Sequence, residues 1–214
     1  GGRWHLNANV PEEGWQMDWE EVSFTAQCTP FRHLAYFPDM DPVWRWFRGN
    51  LQDLESPQMM NLFGYTGVGT LALSAAGANL VHVDASKKSV TERPIRWIID
   101  DAAKFAAREV RRERRYDAIL MDPPKYGRGP DGEIWRLEEH LAGLVEDCGK
   151  LLDGDSRCMF LTVYAVRMSA LALGSLLNEK LSHLGGTIEV GELAVREEAR
   201  GLLLPTAIFA RWSA

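Results

Sequence analysis

Long apolar runs are missing from this chain of 214 residues. No stretch approaches the roughly 20 apolar residues that a helix needs to cross a bilayer, and the polar, tryptophan-containing N-terminus does not resemble a signal peptide. Cysteines are also few, because only Cys28, Cys148 and Cys158 occur, and their wide spacing matches no zinc site. An odd and sparse set of cysteines is typical of a reducing compartment. We therefore expect a cytoplasmic protein without a membrane or metal partner, and a buried Cys158.

Basic residues are outnumbered as well, which excludes a globally basic nucleic-acid binder. The chain carries 24 lysines and arginines against 30 aspartates and glutamates, for a net charge of −6. One local exception holds five arginines within residues 108–115. Two interpretations stay open for this arginine cluster, a solvated helix end and a phosphate-contacting patch, and we favour the first. With 46% hydrophobic and 25% charged residues, the composition is that of an ordinary globular protein.

Residues 1–57 differ from the rest of the chain because they carry five of its eight tryptophans. The patterns at 15–19 and 22–28 predict a β-hairpin, and an apolar stripe within residues 42–54 predicts a helix. Tryptophans in such an appendage either stack nucleobases or pack as an accessory layer on a main sheet. We favour packing, and we expect residues 1–57 to form a small hairpin-and-helix appendage to a domain made of residues 58–214.

From residue 58 onward, strand patterns alternate with helical patterns, which predicts an α/β fold. Strands are expected at 58–63, 80–84, 94–100, 116–122, 157–164, 187–197 and 206–212, and helices at 70–76, 102–114, 137–152 and 168–184. This order predicts a mostly parallel sheet of seven strands with helices on both faces. The connection at residues 85–93 is shorter than the crossover of about a dozen residues that parallel neighbours need. It is either a truncated crossover or the place of an omitted segment, and we favour omission.

A glycine-rich turn follows the first of these strands. Residues 61–70 are Asn-Leu-Phe-Gly-Tyr-Thr-Gly-Val-Gly-Thr, so the glycines are spaced G-x-x-G-x-G. The fingerprint of NAD-binding enzymes is G-x-G-x-x-G instead, and a strand that merely bends can also carry glycines. The spacing disfavours hydride transfer and favours a different adenosine-bearing cofactor, bound where the next helix begins.

Carboxylates end the next two strands, at the edge of the sheet where ligands bind in open α/β folds. Asp84 follows Gly64 by 20 residues and is placed to accept both ribose hydroxyls of a cofactor, although it could instead cap a helix. Of Asp100 and Asp101, one is expected to accept from an adenine amino group and the other to cap the helix that follows. We choose Asp101 for the adenine, although spacing does not decide between them.

The strongest motif is Asp-Pro-Pro-Lys-Tyr at residues 122–126. Two prolines directly after an apolar strand end the strand and fix a rigid, extended loop. Asp122 can accept a hydrogen bond from a substrate amino group there, and Tyr126 can stack on a base. A purely structural Asp-Pro-Pro turn becomes the weaker explanation once the glycine turn and the aspartates stand in this order.

These motifs together resemble those of a known family. Residues 61–67, 83–88 and 121–129 resemble the motifs of class I S-adenosylmethionine-dependent methyltransferases, and they look closest to the branch that includes 23S ribosomal RNA methyltransferases. Residues 31–39 are similar to a segment that lies near the cofactor in that branch. The resemblance extends over nearly the whole chain. It implies the Rossmann-like methyltransferase sheet, with S-adenosylmethionine as the cofactor.

The resemblance also implies roles for individual residues. The cofactor-binding positions are Phe63, Gly64, Tyr65, Thr66, Gly67, Asp84, Ala85, Ser86, Asp101, Ala102 and Asp122. The catalytic positions are Asp122, Pro123, Pro124 and Lys125, and the substrate-binding positions are Tyr126 and Arg128. Among these, the glycine turn would wrap the methionine part of the cofactor, Asp84 would hold the ribose, and Asp101 would hold the adenine. No metal is implied.

One departure from the branch narrows the chemistry. Members that make 5-methylcytosine use a nucleophilic cysteine in a Thr-Cys-Ser setting after the fifth strand, whereas this chain has Leu-Thr-Val-Tyr-Ala at residues 161–165. We therefore expect no covalent cysteine intermediate. A direct attack by a nitrogen or an oxygen on the sulfonium methyl is simpler, because it needs mainly positioning.

The substrate has more than one interpretation. A base in ribosomal RNA is expected first, with the arginine cluster, Lys125, Arg128 and a flexible loop at residues 127–132 as RNA contacts. A protein amide or a small molecule is the alternative, since a glutamine amide is planar too. A non-catalytic module is disfavoured by the intact motifs, and an NAD oxidoreductase by the glycine spacing.

Overall fold

The computed structural model describes residues 3–30, 33–85 and 95–214. The strands are β1 (Trp15–Trp19), β2 (Val22–Ala26), β3 (Gln58–Leu62), β4 (Asn79–Asp84), β5 (Ile95–Ile99), β6 (Ala118–Met121), β7 (Tyr126–Arg128), β8 (Ile134–Arg136), β9 (Cys158–Tyr164), β10 (Thr187–Arg196) and β11 (Leu203–Ser213). The helices are α1 (Asp41–Leu51), α2 (Val68–Ala75), α3 (Ala102–Arg111), α4 (Leu137–Lys150) and α5 (Ala170–Leu181), and short 3-10 turns lie at Pro38–Met40 and Ser182–Leu184.

Seven strands form one sheet in the order β10-β11-β9-β6-β3-β4-β5. The strands from β9 to β5 pair in parallel, whereas β11 runs antiparallel to both β9 and β10. The direction reverses at β11 because a short connection without a helix joins β10 to β11, which only antiparallel neighbours allow. The expected sheet of seven mostly parallel strands is therefore confirmed.

Helices cover both faces of this sheet, as expected. One face packs against α3, α4 and α5, where Phe105, Val145 and Leu177 are inaccessible to solvent. The other face packs against α1, α2 and the β1–β2 hairpin, where Phe47 is equally inaccessible. Because both faces are covered, the central strand β6 is buried along its whole length and has a continuous apolar sequence instead of an alternating one.

Three of the N-terminal tryptophans pack as an accessory layer on the sheet. Trp19 and Trp44 meet edge to face, with ring centroids 5.3 Å apart. Trp46 packs in the same way on Phe160 of β9, at 5.5 Å. The helix that carries two of these rings ends at Leu51, three residues before the predicted end. α1 thus shares a hydrophobic core with β3 and α2, and the domain boundary at residue 57 stays a prediction.

β4 and β5 are parallel neighbours at the edge of the sheet, with Asp84 opposite Ile99. Residues 85–94 alone connect them along the chain. Residues 86–94 lie outside the described residues, and so does the predicted cofactor contact Ser86. The residues on both sides of this short connection pair in the sheet, and for that reason both sides show a strand pattern in the sequence.

The expectation of a flexible loop at residues 127–132 is wrong in part. Tyr126–Arg128 and Ile134–Arg136 pair as a small antiparallel hairpin, in which Gly127 lies opposite Trp135. The Trp135 side chain is 3% exposed and anchors the hairpin to the core. Two three-residue strands are too short to show an alternating pattern, so sequence alone did not separate them from a loop.

Two further properties bear on partners. In the part of the chain that the structure describes, no helix combines the length and the apolar character needed to cross a membrane. Among the same residues, no group of three or more histidines, cysteines, aspartates or glutamates is arranged to hold a metal ion.

Candidate active site

β3 ends in a tight turn that carries the glycines of the G-x-x-G-x-G motif. Phe63 and Tyr65 adopt positive φ angles of 59° and 49°, and Gly67 has a φ of 86°. Left-handed backbone costs a non-glycine residue about 1–3 kcal/mol and tends to be retained at functional sites. The Gly67 amide closes the turn by donating to the Gly64 carbonyl oxygen at 2.9 Å. The chain then enters α2, whose N-cap is Gly67 and which has no side-chain cap.

Two of the motif's glycines lie against aromatic rings from neighbouring strands. A Cβ on Gly64 would lie 2.5 Å from the ring of His82 in β4. A Cβ on Gly67 would lie 2.7 Å from the ring of Trp97 in β5. Real Cβ atoms do not approach a ring this closely, so both positions require glycine whether or not a cofactor is bound.

A buried polar network supports the glycine turn from below. The Asn61 side-chain amide donates to Thr70 Oγ1 at 2.9 Å, and Thr70 Oγ1 hydrogen-bonds His82 Nδ1 at 2.8 Å. Burial lowers the pKa of His82 to about 4, against a smaller opposing effect of Asp84. The imidazole is therefore neutral at neutral pH, and it packs against the turn at Gly64. None of these three residues is predicted from the sequence to have a role.

Asp84 connects the end of β4 to the same turn. Its Oδ2 accepts a hydrogen bond from the backbone amide of Tyr65 at 2.9 Å. The Gly64 amide also donates to the carbonyl oxygen of Val83 at 3.3 Å. Two hydrogen bonds therefore join the turn after β3 to the end of β4. The carboxylate thus lies beside the glycine turn, where the sequence analysis expected it, and its contact with a ribose stays a prediction.

The two consecutive aspartates after β5 divide their roles differently from our expectation. Asp101 caps α3, because its Oδ1 accepts from the Lys104 amide at 2.9 Å. Asp100 is the residue that does not cap the helix, and its Oδ2 pairs with Arg108 at 2.6 Å. An adenine contact by Asp101 stays a prediction and would have to use the carboxylate oxygen that does not cap.

Asp122 directly follows the last residue of β6, and one of its two carboxylate oxygens accepts a hydrogen bond. Its Oδ1 accepts from Thr162 Oγ1 of β9 at 2.6 Å. Burial raises the pKa of Asp122 to about 6, the hydrogen bond from Thr162 opposes the rise, and the nearby charge of Asp39 adds to it. The group therefore changes charge close to neutral pH, which suits a residue that exchanges a proton with a substrate.

The prolines after Asp122 belong to a loop that is fixed at both ends. Pro123 is buried, and the carbonyl oxygen of Pro124 accepts from Trp135 Nε1 at 2.7 Å. The carbonyl oxygen of Lys125 accepts from the Leu137 amide, at the start of α4, at 3.0 Å. These bonds hold the loop in one extended conformation, as the proline pair predicts.

The remaining predicted site residues lie on the surface. Lys125 is exposed, with its Nζ 3.9 Å from a carboxylate oxygen of Glu138. Tyr126 is 52% exposed, and Arg128 is exposed on the same strand. None of the three lines the two cavities described next, so their catalytic and substrate-binding roles stay predictions.

Two cavities meet at Asp122. The first, which we call the turn cleft, is lined by Tyr36, Phe37, Met40, Trp44, Asn61, Phe63, Gly64, Tyr65, Thr66, Val68, Gly69, Leu120 and Asp122. The second, which we call the β9–β11 cavity, is lined by Phe37, Asp39, Met40, Asp122, Thr162, Tyr164, Thr206 and Ala207. Asp122, Phe37 and Met40 line both, so this carboxylate stands between two adjacent spaces.

The cysteines lie away from both cavities. Cys158 is inaccessible at the start of β9, whereas the cavities meet at the opposite end of the sheet, so its expected burial is confirmed. Burial also raises the pKa of the Cys158 thiol, which keeps the thiol protonated. Cys28 and Cys148 do not line the cavities either.

Three of the five arginines in the cluster form ion pairs with described residues, and the C-terminal part of the cluster lies far from Asp122 along the sheet. Because α3 starts after the carboxyl end of β5 and returns to the start of β6, its last residues reach the opposite edge of the sheet. The ion pairs within the cluster are Arg108–Asp100, Arg112–Glu109 and Arg115–Asp153. This pairing agrees with the solvated helix end that we favoured.

Comparisons with known proteins define the family. No protein-family model matches the chain, and no curated protein matches it. Among solved structures, a SAM-dependent methyltransferase from Agrobacterium tumefaciens is 38% identical with a TM-score of 0.94, over 99% of this chain and 74% of its own. A Streptococcus mutans protein assigned to the same class is 14% identical with a TM-score of 0.72, over 97% of this chain and 58% of its own. The protein SMU.776, solved with S-adenosylhomocysteine, is 18% identical with a TM-score of 0.66, over 97% of this chain and 58% of its own.

The chain belongs to the S-adenosylmethionine-dependent methyltransferases, because its identity to the Agrobacterium enzyme extends over almost its full length. S-adenosylmethionine is accordingly its cofactor, and the predicted methyltransferase fold is confirmed. The two matches with lower identity support the fold alone. Kinship with the ribosomal RNA branch stays a prediction.

The residues around the glycine turn fit this cofactor. Asp84 offers a carboxylate beside the turn, and a carboxylate can accept from ribose hydroxyls. The uncapped start of α2 favours a negative group such as the carboxylate of a methionine moiety. The side chains of Tyr36, Phe37 and Trp44 close the turn cleft opposite the glycines. Residues 31–39 are expected near the cofactor from the sequence, whereas the position of Trp44 in the turn cleft is not.

Proposed function

We propose that this chain transfers a methyl group directly to a nitrogen held in the β9–β11 cavity. The observation that carries the proposal is the position of Asp122 between that cavity and the turn cleft. S-adenosylmethionine bound at the turn would supply an electrophilic methyl group on a sulfonium sulfur. An acceptor in the β9–β11 cavity would then lie on the other side of Asp122, close enough for direct transfer.

Cofactor binding rests on residues that surround the turn. Phe63, Gly64, Tyr65, Thr66 and Gly67 hold the methionine part, and Asp84 and Ala85 hold the ribose, in this proposal. Asp101 and Ala102 hold the adenine. The tie between Asp84 and the Tyr65 amide supports it, since one carboxylate then fixes the turn and lies beside the bound nucleoside.

Asp122 orients the acceptor and receives its proton. A carboxylate that already accepts from Thr162 has a fixed direction, so its other oxygen can accept from an acceptor N–H in a defined geometry. As the nitrogen lone pair forms a bond to the methyl carbon, the methyl–sulfur bond breaks and its electrons stay on sulfur. The proton leaves the nitrogen for Asp122. No cysteine takes part in this route.

Two classes of acceptor remain in the proposal. A ribosomal RNA base is supported by the resemblance and by Tyr126 and Arg128, which lie exposed a few residues after Asp122. A protein amide or a small molecule is favoured by charge. Among the described residues, the charged groups that line the β9–β11 cavity are the carboxylates of Asp39 and Asp122, which would repel a phosphate backbone.

Calorimetry tests the cofactor site. We expect S-adenosylmethionine to bind the purified protein, and Asp84→Ala to weaken binding about tenfold or more, because a charge-assisted hydrogen bond is lost. Asp155→Ala is the matched control, since Asp155 lies exposed in a loop before β9. Equal affinities of the Asp84 variant and the wild type would contradict this role.

Radiolabelled methyl transfer tests the acceptor. Total RNA and protein extract from a strain that lacks the gene would each be incubated with the enzyme and labelled S-adenosylmethionine. Label on RNA supports the ribosomal RNA base, and label on protein or on a small molecule supports the second class. Cofactor binding without label in any fraction would refute methyl transfer.

A further inference from the structure

The β9–β11 cavity is small and has an uneven chemical character. It encloses about 290 Å³. Phe37, Met40, Ala207 and the ring of Tyr164 supply its apolar surface, and Phe37 and Tyr164 are 38% and 43% exposed. A volume of this size admits a small molecule or one side chain, and it is at the lower end of ordinary ligand pockets.

The polar side chains among the described residues that line this cavity are the carboxylates of Asp39 and Asp122 and the hydroxyls of Thr162, Tyr164 and Thr206. Thr162 donates to Asp122 at 2.6 Å, and Thr206 donates to the Leu193 carbonyl oxygen at 3.1 Å, so both threonine protons are already used. The carboxylate of Asp39 makes no hydrogen bond or ion pair with any described residue. Of the lysines, arginines and histidines that the structure describes, none lines the cavity.

The described residues that line this cavity supply two carboxylates and no positive charge. Two carboxylates in a partly apolar space repel each other, and the charge of Asp39 is felt at Asp122. Withdrawing a carboxylate from water costs free energy unless a hydrogen-bond donor or a cation replaces the water. A bound group that brings N–H donors and positive charge would remove this cost, whereas an anion would increase it.

We propose that the acceptor is a small basic amine, and that Asp39 is the residue that binds its positive charge. The inference rests on the proposed methyl transfer at Asp122 and selects a substrate class for it. Phe37 and Tyr164 line the cavity with aromatic rings, which suits an aromatic or cationic ligand. Asp39 touches the substrate but not the reacting methyl group.

The reaction of such an amine balances without a further reactant. An ammonium group first gives one proton to Asp122 or to water, which frees the nitrogen lone pair. The lone pair then forms the bond to the methyl carbon, and the methyl–sulfur bond breaks with its electrons on sulfur. The product is an N-methyl ammonium ion together with S-adenosylhomocysteine.

The test uses three probes that share a phenyl ring on a two-carbon chain and differ in the charge of the terminal group. These are 2-phenylethylamine, 2-phenylethanol and phenylacetate, each offered to the whole protein with labelled S-adenosylmethionine, alongside a panel of other small primary and secondary amines. We expect label on amines and none on phenylacetate. Asp39→Asn should raise the KM for the amine about tenfold, which corresponds to about 1.4 kcal/mol, with a smaller change in kcat.

Three controls separate the possible failures. Asp39→Glu should retain most of the amine affinity, and Asp155→Asn should behave as the wild type. Calorimetry with S-adenosylmethionine should give the same affinity for the wild type and for Asp39→Asn, because Asp39 does not line the turn cleft. Binding of the cofactor with label on RNA or protein, and on no amine, would overturn the amine class and leave methyl transfer standing. Absence of cofactor binding would instead contradict the proposed function.

Discussion

At the scale of single residues, Asp122 is the group whose environment most directly controls chemistry. Its motif is visible in the sequence, but its pKa is raised chiefly by burial in the folded chain, and the hydrogen bond from Thr162, 40 residues further along, opposes that rise. Because burial raises the pKa of Asp122 to about 6, the carboxyl group is ionised only above that pH. A protonated carboxyl cannot receive the proton of an acceptor.

Methyl transfer should therefore increase as the pH rises through about 6. The hydrogen bond from Thr162 stabilises the ionised carboxylate, so Thr162→Val should move this rise in activity to higher pH by about one unit. Thr162→Ser keeps the hydroxyl, and its activity should rise at the same pH as that of the wild type. The pH profile of kcat/KM measures the shift, and carbon NMR of labelled aspartates follows the same titration without a substrate. An identical profile for the valine variant would show that another group controls this rise in activity.

At the scale of elements, the glycine turn is matched to the strands beside it. Gly64 lies on His82 of β4, and Gly67 lies on Trp97 of β5. The glycines of the motif are therefore needed for the packing of the turn against the neighbouring strands as well as for its predicted contact with a cofactor. Its spacing was readable in the sequence, whereas the rings that require the glycines came from strands distant along the chain.

Gly64→Ala should weaken the binding of S-adenosylmethionine about tenfold or more, since a Cβ 2.5 Å from the His82 ring must displace the turn. Replacing the ring in the double variant Gly64→Ala, His82→Ala should restore part of the affinity relative to Gly64→Ala. Gly154→Ala is the control, because a Cβ there meets no atom within 4 Å. Calorimetry on the wild type, these three variants and the single variant His82→Ala gives the affinities. If the losses of Gly64→Ala and His82→Ala simply added in the double variant, the ring would not be the cause.

At the scale of the whole molecule, the N-terminal layer and the sheet share one core. Phe47 of α1 is inaccessible to solvent, and its ring lies 6.3 Å from that of Phe160 in β9. Trp44 of the same helix lines the turn cleft. The layer therefore supports the sheet and also closes the cofactor side of the site.

Phe47→Ala should lower the free energy of unfolding by about 3–5 kcal/mol, the usual cost of a large buried cavity. Because the core is shared, we expect a single urea transition that shifts as a whole. Tryptophan fluorescence and far-UV circular dichroism would follow it. Leu171→Ala, at a side chain that is 70% exposed, is the control and should change stability by less than about 0.5 kcal/mol. A separate early transition would mean that residues 1–57 fold independently.

The sequence by itself determined the α/β order, the glycine turn and the positions of Asp84 and Asp122. These features depend on local patterns, because apolar runs, turn glycines and paired prolines act within a few residues of chain. The β7–β8 hairpin was missed because its strands are too short to show a pattern, and the aspartates after β5 were divided differently because capping depends on the geometry where α3 begins.

Only the tertiary structure decided which residues surround Asp122. Thr162 hydrogen-bonds it from a distant strand, and Asp39 lines the same cavity from the N-terminal layer. The C-terminal end of the arginine cluster lies at the opposite edge of the sheet. These relations arise from the packing of elements far apart in the chain, which no local pattern encodes. Sequence thus determined the class of cofactor, and the fold determined the charge and shape of the space beside it.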